Sequence, residues 1–238
     1  MTTAADPVPP GQRLLAFCLE IRKTILSLGI GIGLGTLGFY FLAPVIFAAF
    51  QKHLHQKLAF FTVAEPFLAH VKLALFATLF LLMPWIVYCF WRAMVRPFAL
   101  SGKALATFVF FTCLLFYIGT LFCYFVTLPL GVTFLLGFES EQLKSIISVG
   151  KFVSFVTVFV LSFGLIFELP IFMVFFARTG ICPRATFEKS RRYAILFISI
   201  IAALLTPTPD VVNMLLMGGP LYLLYEMGII ALKTMKIK

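Results

Sequence analysis

Charged residues are scarce in this sequence, and acidic residues are the scarcest of them. Of the 238 residues, 12% are charged and 62% are hydrophobic, and nine acids face nineteen lysines and arginines. A soluble globular domain carries about 25% charged residues, so this composition argues against that class. Because a helical bilayer crossing needs about 20 apolar residues, the length predicts an all-α, polytopic membrane protein with six transmembrane helices and no large soluble domain.

Motifs for metal, nucleotide and catalytic chemistry are also missing. The five cysteines form no Cys-x-x-Cys pair and lie mostly in apolar runs, as small buried hydrophobes do. The sequence contains no His-Glu-x-x-His, no phosphate-binding glycine loop and no serine with a histidine nearby. We therefore expect no cofactor, no metal site and no enzymatic activity.

Uncharged runs mark the positions of the six helices. They predict spans at approximately 24–50, 73–91, 104–128, 152–177, 193–205 and 211–232, within a single membrane domain of residues 13–238 that follows a disordered tail, 1–12. The fifth run, 193–205, would measure only about 20 Å as a helix, against a hydrocarbon core of about 30 Å. The hairpin of helices five and six is therefore expected to stop partway across the bilayer, unless this span is slightly misplaced.

The basic residues are distributed unequally between the two sides of this predicted bundle. Fourteen lysines and arginines fall on the side of the termini and five on the opposite side. The positive-inside rule then predicts that both termini are cytoplasmic. This arrangement accounts for the formal charge of +10, so binding to nucleic acid is not needed to explain it.

An acidic residue lies inside the fourth apolar run. An ionised carboxylate at that depth costs a few kcal/mol if it faces lipid, so Glu168 should face a protein cleft, pair with a cation or be protonated. Pro170 removes the hydrogen bond to the carbonyl group of Ile166 and leaves a polar kink beside the acid. Together they predict a polar notch that faces a substrate or relays protons; the alternative is an interhelical hydrogen bond that holds the bundle.

A second acid stands out because its surroundings are basic. The predicted cytoplasmic surface carries only three acids, Asp6, Glu20 and Glu188. A cationic partner would be repelled there except beside a local acid, and Glu20 lies on the amphipathic segment that leads into helix one. The alternative is an ion pair between Glu20 and Arg22, Lys23 or a neighbouring loop.

Two further features are consistent with either packing or function. Glu226 in helix six lies near the membrane interface, and its position favours neither a structural nor a functional role. Four glycines form two overlapping small-xxx-small pairs, the spacing that allows transmembrane helices to approach closely, and so predict a packing or partner face: Gly29, Gly31, Gly33 and Gly35.

Several separated motifs resemble the TatC family, the multispanning core of the twin-arginine protein translocase. The resemblance extends over residues 14–232. The matching segments are LEIRK at 19–23, TVAEPF at 62–67, FELP at 167–170, RRY at 191–193, LTPTPD at 205–210 and PLYLLYE at 220–226.

This resemblance implies a cupped six-helix bundle in the bacterial inner membrane that binds the twin-arginine signal peptides of folded cargo. It further implies partners of the single-span TatA and TatB types, other copies of the chain, and transport driven by the proton-motive force. By resemblance, Glu20 and Arg22 belong to the signal-binding segment and Glu168 lines the notch for the apolar stretch of the signal. Pro170, Asp210 in the outer turn and Glu226 are then positions for translocation or partner contacts.

Two positions depart from the family pattern. A second signal-binding glutamate is usual six residues after a proline in the loop between helices two and three, but Lys103 stands there. Glu188 is a candidate replacement, because few other acids are available on that side. Met214 occupies the place where family members commonly have glutamine, which leaves a polar contact in helix six in doubt.

A proton-coupled transporter of small solutes that uses Glu168 is the alternative function. Such folds often repeat an interrupted helix in each half, and the first three predicted helices contain no second Glu-x-Pro break. Replacement of Glu20 separates the two hypotheses, since only the translocase requires an acid at the cytoplasmic end of helix one.

Overall fold

The computed structural model describes residues 10–54, 58–59, 61–95, 102–137, 147–205 and 211–235. Within these ranges the chain is helical, with one π-helical turn and two strands of two residues each. The helices are α1 (Pro10–Tyr40), α2 (Ala43–Leu54), α3 (Glu65–Val95), α4 (Gly102–Phe122), the π-helix (Cys123–Thr127), α5 (Leu128–Leu136), α6 (Val149–Ile166), α7 (Leu169–Arg178), α8 (Arg184–Lys189), α9 (Arg191–Leu205) and α10 (Val211–Thr234).

Three helical stretches in the described ranges are long and apolar enough to cross a membrane. They are Glu65–Met94, Gly102–Thr133 and Val149–Arg178. A bent pair of helices, Ile25–Tyr40 and Ala43–Ala49, gives a fourth if the pair forms one span. The chain is therefore an all-helical membrane protein, as expected from its composition, and a count of six crossings stays a prediction.

The first helix differs from its predicted form at both ends. It begins at Pro10, inside the predicted tail, because proline lacks only an N–H that the first helical turn leaves unpaired. The predicted run 24–50 is interrupted at residues 41–42, and the two halves meet at 71°. Pro44 explains the break, since it has no N–H to donate to the carbonyl group of Tyr40. Residues 1–9 of the predicted tail lie outside the described ranges.

The third predicted helix does not end near Pro129. It continues from α4 through the π-helix into α5, which ends at Leu136. The amide of Leu128 donates to the carbonyl group of Cys123, so the π-helical turn carries the chain past the proline. Pro129 then occupies the first turn of α5, where its missing donor costs little.

The remaining predicted spans correspond to observed helices, with extended ends. Helix two runs from Glu65 to Val95 rather than from 73 to 91, because charged side chains are tolerated in its terminal turns. The fourth span consists of α6 and α7, the fifth is α9, with 15 residues, and the sixth is α10.

Close helix crossings occur at glycines. A Cβ atom on Gly35 of α1 would lie 2.5 Å from the Thr78 methyl group of α3, and one on Gly31 would lie 2.6 Å from the Trp85 ring. No atom in the described residues lies within 4 Å of a Cβ built on Gly29 or Gly33. One of the two small-xxx-small pairs is therefore an intramolecular packing face against α3, and the other faces away from it.

A proline inside α3 is compensated by a tyrosine of α4. Pro84 cannot donate to the carbonyl group of Phe80, four residues earlier. The hydroxyl group of Tyr117 donates to that carbonyl instead, at 3.0 Å, and the Phe80 and Tyr117 rings meet edge to face with centroids 5.0 Å apart. The carbonyl group that Pro84 leaves without a helical donor is thus hydrogen-bonded to α4 rather than left unsatisfied.

Candidate functional site

The break predicted from Pro170 is present, and Glu168 lies within it. Helix α6 ends at Ile166 and α7 begins at Leu169, with Pro170 in its first turn. The carbonyl group of Glu168 accepts from the amides of Ile171 and Phe172 at 3.0 and 3.2 Å. Glu168 is therefore the N-cap residue of α7, and its backbone carbonyl accepts the first hydrogen bonds of that helix.

The side chain of Glu168 is buried and incompletely satisfied. The residue is 5% exposed, and its Oε1 atom has no hydrogen-bond partner in the described part of the chain. No lysine, arginine or histidine of the described ranges forms an ion pair with it. Glu168 is therefore buried in the described structure, as are its neighbours in the sequence Phe167 and Ile171, and one of its acceptor atoms is unused.

A cavity lies beside the same helix, nearer to its N-terminus. Its volume is about 180 Å³, and it is lined by side chains of α3, α4, the π-helix and α6: Phe76, Phe80, Thr120, Leu121, Tyr124 and Val160. Val160 precedes Glu168 by eight residues, a distance of about 12 Å along an α-helix. Glu168 is not among the lining residues, so this cavity is separate from the notch that the sequence predicts there.

Glu226 is held by residues of the chain itself. The carboxylate of Glu226 accepts from Arg191 at two atoms, with Nε to Oε1 at 2.9 Å and Nη2 to Oε2 at 3.0 Å, and from the Tyr222 hydroxyl at 3.0 Å. These contacts join α9 to α10. They favour the structural interpretation of Glu226, which the sequence could not separate from the functional one.

Glu188 is also paired within the chain. Its Oε1 atom lies 2.9 Å from Nε of Arg184 on the same short helix and 3.9 Å from Nζ of Lys233 at the end of α10. A cationic ligand would have to compete with both. Lys103, at the departure from the family pattern, is exposed in the first turn of α4, and Met214 is half-buried in α10.

The remaining predicted residues are described only in part or lie outside the described ranges. Glu20 and Arg22 are on α1, but only their backbone is described, and Asp210 lies outside the described residues. A common site that contains Glu20 and Glu168 therefore stays a prediction. Among the described residues, no group of three or more His, Cys, Asp or Glu side chains could hold a metal ion.

A hydrogen-bonded acid that the sequence analysis did not single out lies at the start of α3. The Oε1 atom of Glu65 accepts from the Ser148 hydroxyl and, at 2.9 Å, from the Gly150 amide; its Oε2 accepts from the Phe61 amide at 2.8 Å. The carboxylate thus caps the N-terminus of α6, where an anion is favoured by the helix dipole.

The two short strands meet beside this cap. Residues 58–59 and 147–148 pair in parallel, with Leu58 opposite Ile147 and Ala59 opposite Ser148. Glu65 therefore holds the segment before α3 against the start of α6. The signals in the sequence were the Glu65-Pro66 pair, which is typical of a helix start, and the TVAEPF motif. Two of the partners of Glu65, Ser148 and Gly150, lie more than 80 residues away.

Comparisons with known proteins agree with this architecture. A family model described as Sec-independent protein translocase protein (TatC) matches residues 17–220. The Sec-independent protein translocase protein TatC of Koribacter versatilis (strain Ellin345) is 35% identical over 188 residues, which cover 78% of this chain and 69% of that protein. The TatC protein of Desulforapulum autotrophicum (strain ATCC 43914 / DSM 3382 / VKM B-1955 / HRM2) is 32% identical over 226 residues, 90% of this chain and 82% of the relative.

A solved structure shares the fold. The crystal structure of the twin-arginine translocase receptor TatC in DDM superposes with a TM-score of 0.79 at 30% identity, covering 90% of this chain and 98% of the other. A second crystal structure of the same receptor gives a TM-score of 0.76. Because the family model spans most of the sequence and the fold agrees over nearly its whole length, this chain belongs to the TatC family of Sec-independent protein translocase proteins.

Proposed function

We propose that the chain is the receptor and scaffold of a twin-arginine translocase, which binds the signal peptides of folded cargo and is not an enzyme. Its membership of the TatC family carries this proposal. The same membership disfavours the solute transporter, which rested on Glu168 alone.

In this proposal the chain crosses the bacterial inner membrane six times, with both termini in the cytoplasm. The excess of lysine and arginine on the side of the termini supports that orientation. The 15-residue length of α9, about 22 Å, supports a fifth helix that stops short of the full hydrocarbon thickness.

The signal peptide is recognised in two parts. Glu20, an acid within a basic cytoplasmic surface, binds the arginine pair, because a carboxylate offers guanidinium groups a bidentate, charge-assisted contact. The adjacent Arg22 belongs to the same segment. The apolar stretch of the signal inserts beside α6 and α7, near Glu168, and gains by burying its apolar surface.

The unused acceptor of Glu168 supports a role for this acid when the site is occupied. A buried carboxyl oxygen without a partner costs free energy that a donor from a ligand would recover. Pro170 keeps α6 and α7 separate at this point. Asp210 and Glu226 then serve the later contacts with single-span TatA and TatB subunits and with other copies of the chain. The ion pair with Arg191 gives Glu226 a structural role as well.

Substitution of Glu20 tests the proposal. Glu20→Ala and Glu20→Lys should abolish export of a folded twin-arginine cargo while the protein remains inserted in the membrane. Asp6→Ala serves as the control, because Asp6 is an acid of the same predicted surface that has no assigned contact with the signal peptide. Normal export by both Glu20 variants would contradict the assignment.

A separate experiment tests whether Glu188 replaces the signal-binding glutamate that is missing at position 103. If Glu188 has taken over that role, Glu188→Lys should weaken binding of a twin-arginine peptide well beyond the effect of Glu188→Ala, because it adds repulsion. Normal binding by Glu188→Lys would leave recognition of the arginine pair to Glu20.

A further inference from the structure

Two exposed lysines lie on the surface where α3 packs on α6. The ammonium group of Lys72 on α3 donates to the Ser154 hydroxyl on α6 at 2.7 Å. Lys151 is exposed and precedes Ser154 by three residues, so it lies on the same face of α6. The Ser154 hydroxyl donates in turn to the carbonyl group of Gly150 at 2.8 Å. Two positive charges therefore lie beside one contact between two membrane-spanning helices.

Neither charge is neutralised by an acid in the described part of the chain. The ion pairs among the described residues include neither Lys72 nor Lys151. Glu65 lies seven residues before Lys72, and both of its oxygens already accept from backbone amides or a serine hydroxyl. A lysine ammonium group has three N–H donors, and the contact with Ser154 uses one of them. The two lysines can therefore bind an anion from outside the chain.

The depth of the two lysines matches the headgroup region of a bilayer. Helix α3 has 31 residues and a length of about 46 Å, so a centred helix extends about 8 Å beyond each face of a hydrocarbon core of about 30 Å. Lys72 lies about 10 Å after the start of α3, close to that boundary. The carboxylate of Glu65, at the start of α3, accepts from Gly150 at the start of α6, so both helices begin on the same side. Lys151 therefore lies above Lys72, among the headgroups.

Exposed apolar side chains continue the same two helix faces below the lysines. Leu75 follows Lys72 by three residues and is 40% exposed, and Val158 follows Ser154 by four residues and is 62% exposed. These spacings place them on the faces of Lys72 and Ser154, one turn deeper in the hydrocarbon layer. The surface thus combines positive charge at the headgroup level with apolar contact beneath it, which is the distribution of charge and apolar surface that a phospholipid complements.

We propose that Lys72 and Lys151 bind the phosphate group of an anionic phospholipid whose acyl chains lie against Leu75 and Val158. The lipid belongs to the leaflet on the side where α3 and α6 begin. Its phosphate accepts from the two ammonium groups and supplies the negative charge that the described residues do not. The inference concerns a lipid and does not rest on binding of a signal peptide.

Native mass spectrometry of the full chain tests the proposal. The chain in detergent is titrated with phosphatidylglycerol and, separately, with phosphatidylcholine, whose headgroup has no net charge; the unchanged chain should bind phosphatidylglycerol more tightly. Lys72→Gln and Lys151→Gln should each weaken the tightest binding of phosphatidylglycerol by about fivefold, the value of one lysine at an anionic lipid surface. The double substitution should weaken it by about twentyfold or more, whereas Lys72→Arg retains the charge and should retain most of the affinity.

Lys103→Gln is the matched control. Lys103 is an exposed lysine in the first turn of α4, which follows the opposite end of α3, so the substitution removes the same charge from the other side. It should leave the tightest phosphatidylglycerol site unchanged. If Lys72→Gln does not fold, the comparison of Lys151→Gln with Lys103→Gln decides the question alone.

Three results would overturn the inference. The first is equal affinity for phosphatidylglycerol in the double variant and the unchanged chain. The second is an equal loss in Lys103→Gln, which would show a general effect of net charge and not a site. The third is displacement of the bound lipid by millimolar inorganic phosphate, which would assign the two lysines to a soluble anion.

Discussion

The hydroxyl group of Tyr117 on α4 lies 3.0 Å from the carbonyl oxygen of Phe80 on α3, the carbonyl that Pro84 leaves without its helical donor. The bond joins two apolar helices. Phe80 also lines the cavity between α3, α4 and α6, and its ring meets the Tyr117 ring edge to face.

This relationship predicts a specific coupling between two substitutions. Tyr117→Phe should lower the free energy of unfolding by about 1 kcal/mol, the usual value of one such hydrogen bond. In a Pro84→Ala background the alanine amide restores the helical bond to Phe80, so the same substitution should cost much less. Denaturant unfolding in detergent micelles measures both; equal losses in the two backgrounds would show that the hydroxyl does not act through this carbonyl.

Two glycines of α1 should respond in opposite ways to alanine. Gly35→Ala places a methyl group 2.5 Å from the Thr78 methyl and should destabilise the protein by about 1–3 kcal/mol. Gly33→Ala meets no described atom within 4 Å and should be neutral or slightly stabilising, because alanine favours the helix. Thermal unfolding of the two variants compares them directly, and similar melting temperatures would contradict the α1–α3 crossing.

Glu65 should protect two backbone amides from hydrogen exchange. In Glu65→Ala, the amides of Phe61 and Gly150 lose their acceptor and should exchange faster, by about tenfold or more. Glu65→Gln keeps only one acceptor oxygen, so it should protect one of the two amides and release the other. Unchanged exchange at both amides in the alanine variant would remove Glu65 as the cap of α6.

The contact between Arg191 and Glu226 predicts the result of a charge swap. Because the two side chains are 44% and 26% exposed, each single reversal should cost no more than about 1 kcal/mol of stability. The double reversal, Arg191→Glu with Glu226→Arg, should recover most of this loss and most of the export activity. Recovered stability without recovered export would indicate that Glu226 also contacts a partner.

Features that depend on local chemistry could be predicted from the sequence. Pro170 had to break the fourth helix beside Glu168, because a proline cannot donate to the carbonyl four residues before it. Because few residues are charged, we expected helices long and apolar enough to cross a membrane, and the described ranges contain three such stretches.

Features that depend on distant residues could not be predicted. Which glycines of α1 face α3 is decided by Thr78 and Trp85, and the cap of α6 is supplied by Glu65 from more than 80 residues earlier. The third helix continues past Pro129 because a π-helical turn rearranges its backbone hydrogen bonds. No residue type in the sequence predicts such a turn. The burial of Glu168 likewise depends on the other helices that pack on α6 and α7.

The central claim is that one signal peptide contacts the acid of α1 with its arginine pair and the α6–α7 region with its apolar stretch. The most direct measurement uses two signal peptides, one with a photoreactive residue beside the arginines and one with it in the apolar stretch, followed by mass spectrometry of the crosslinked chain. We expect the first peptide to label α1 around Glu20, and the second to label the segment from Val160 to Glu168. Labelling of other helices by both peptides, with α1 and α6 unmodified, would contradict the account.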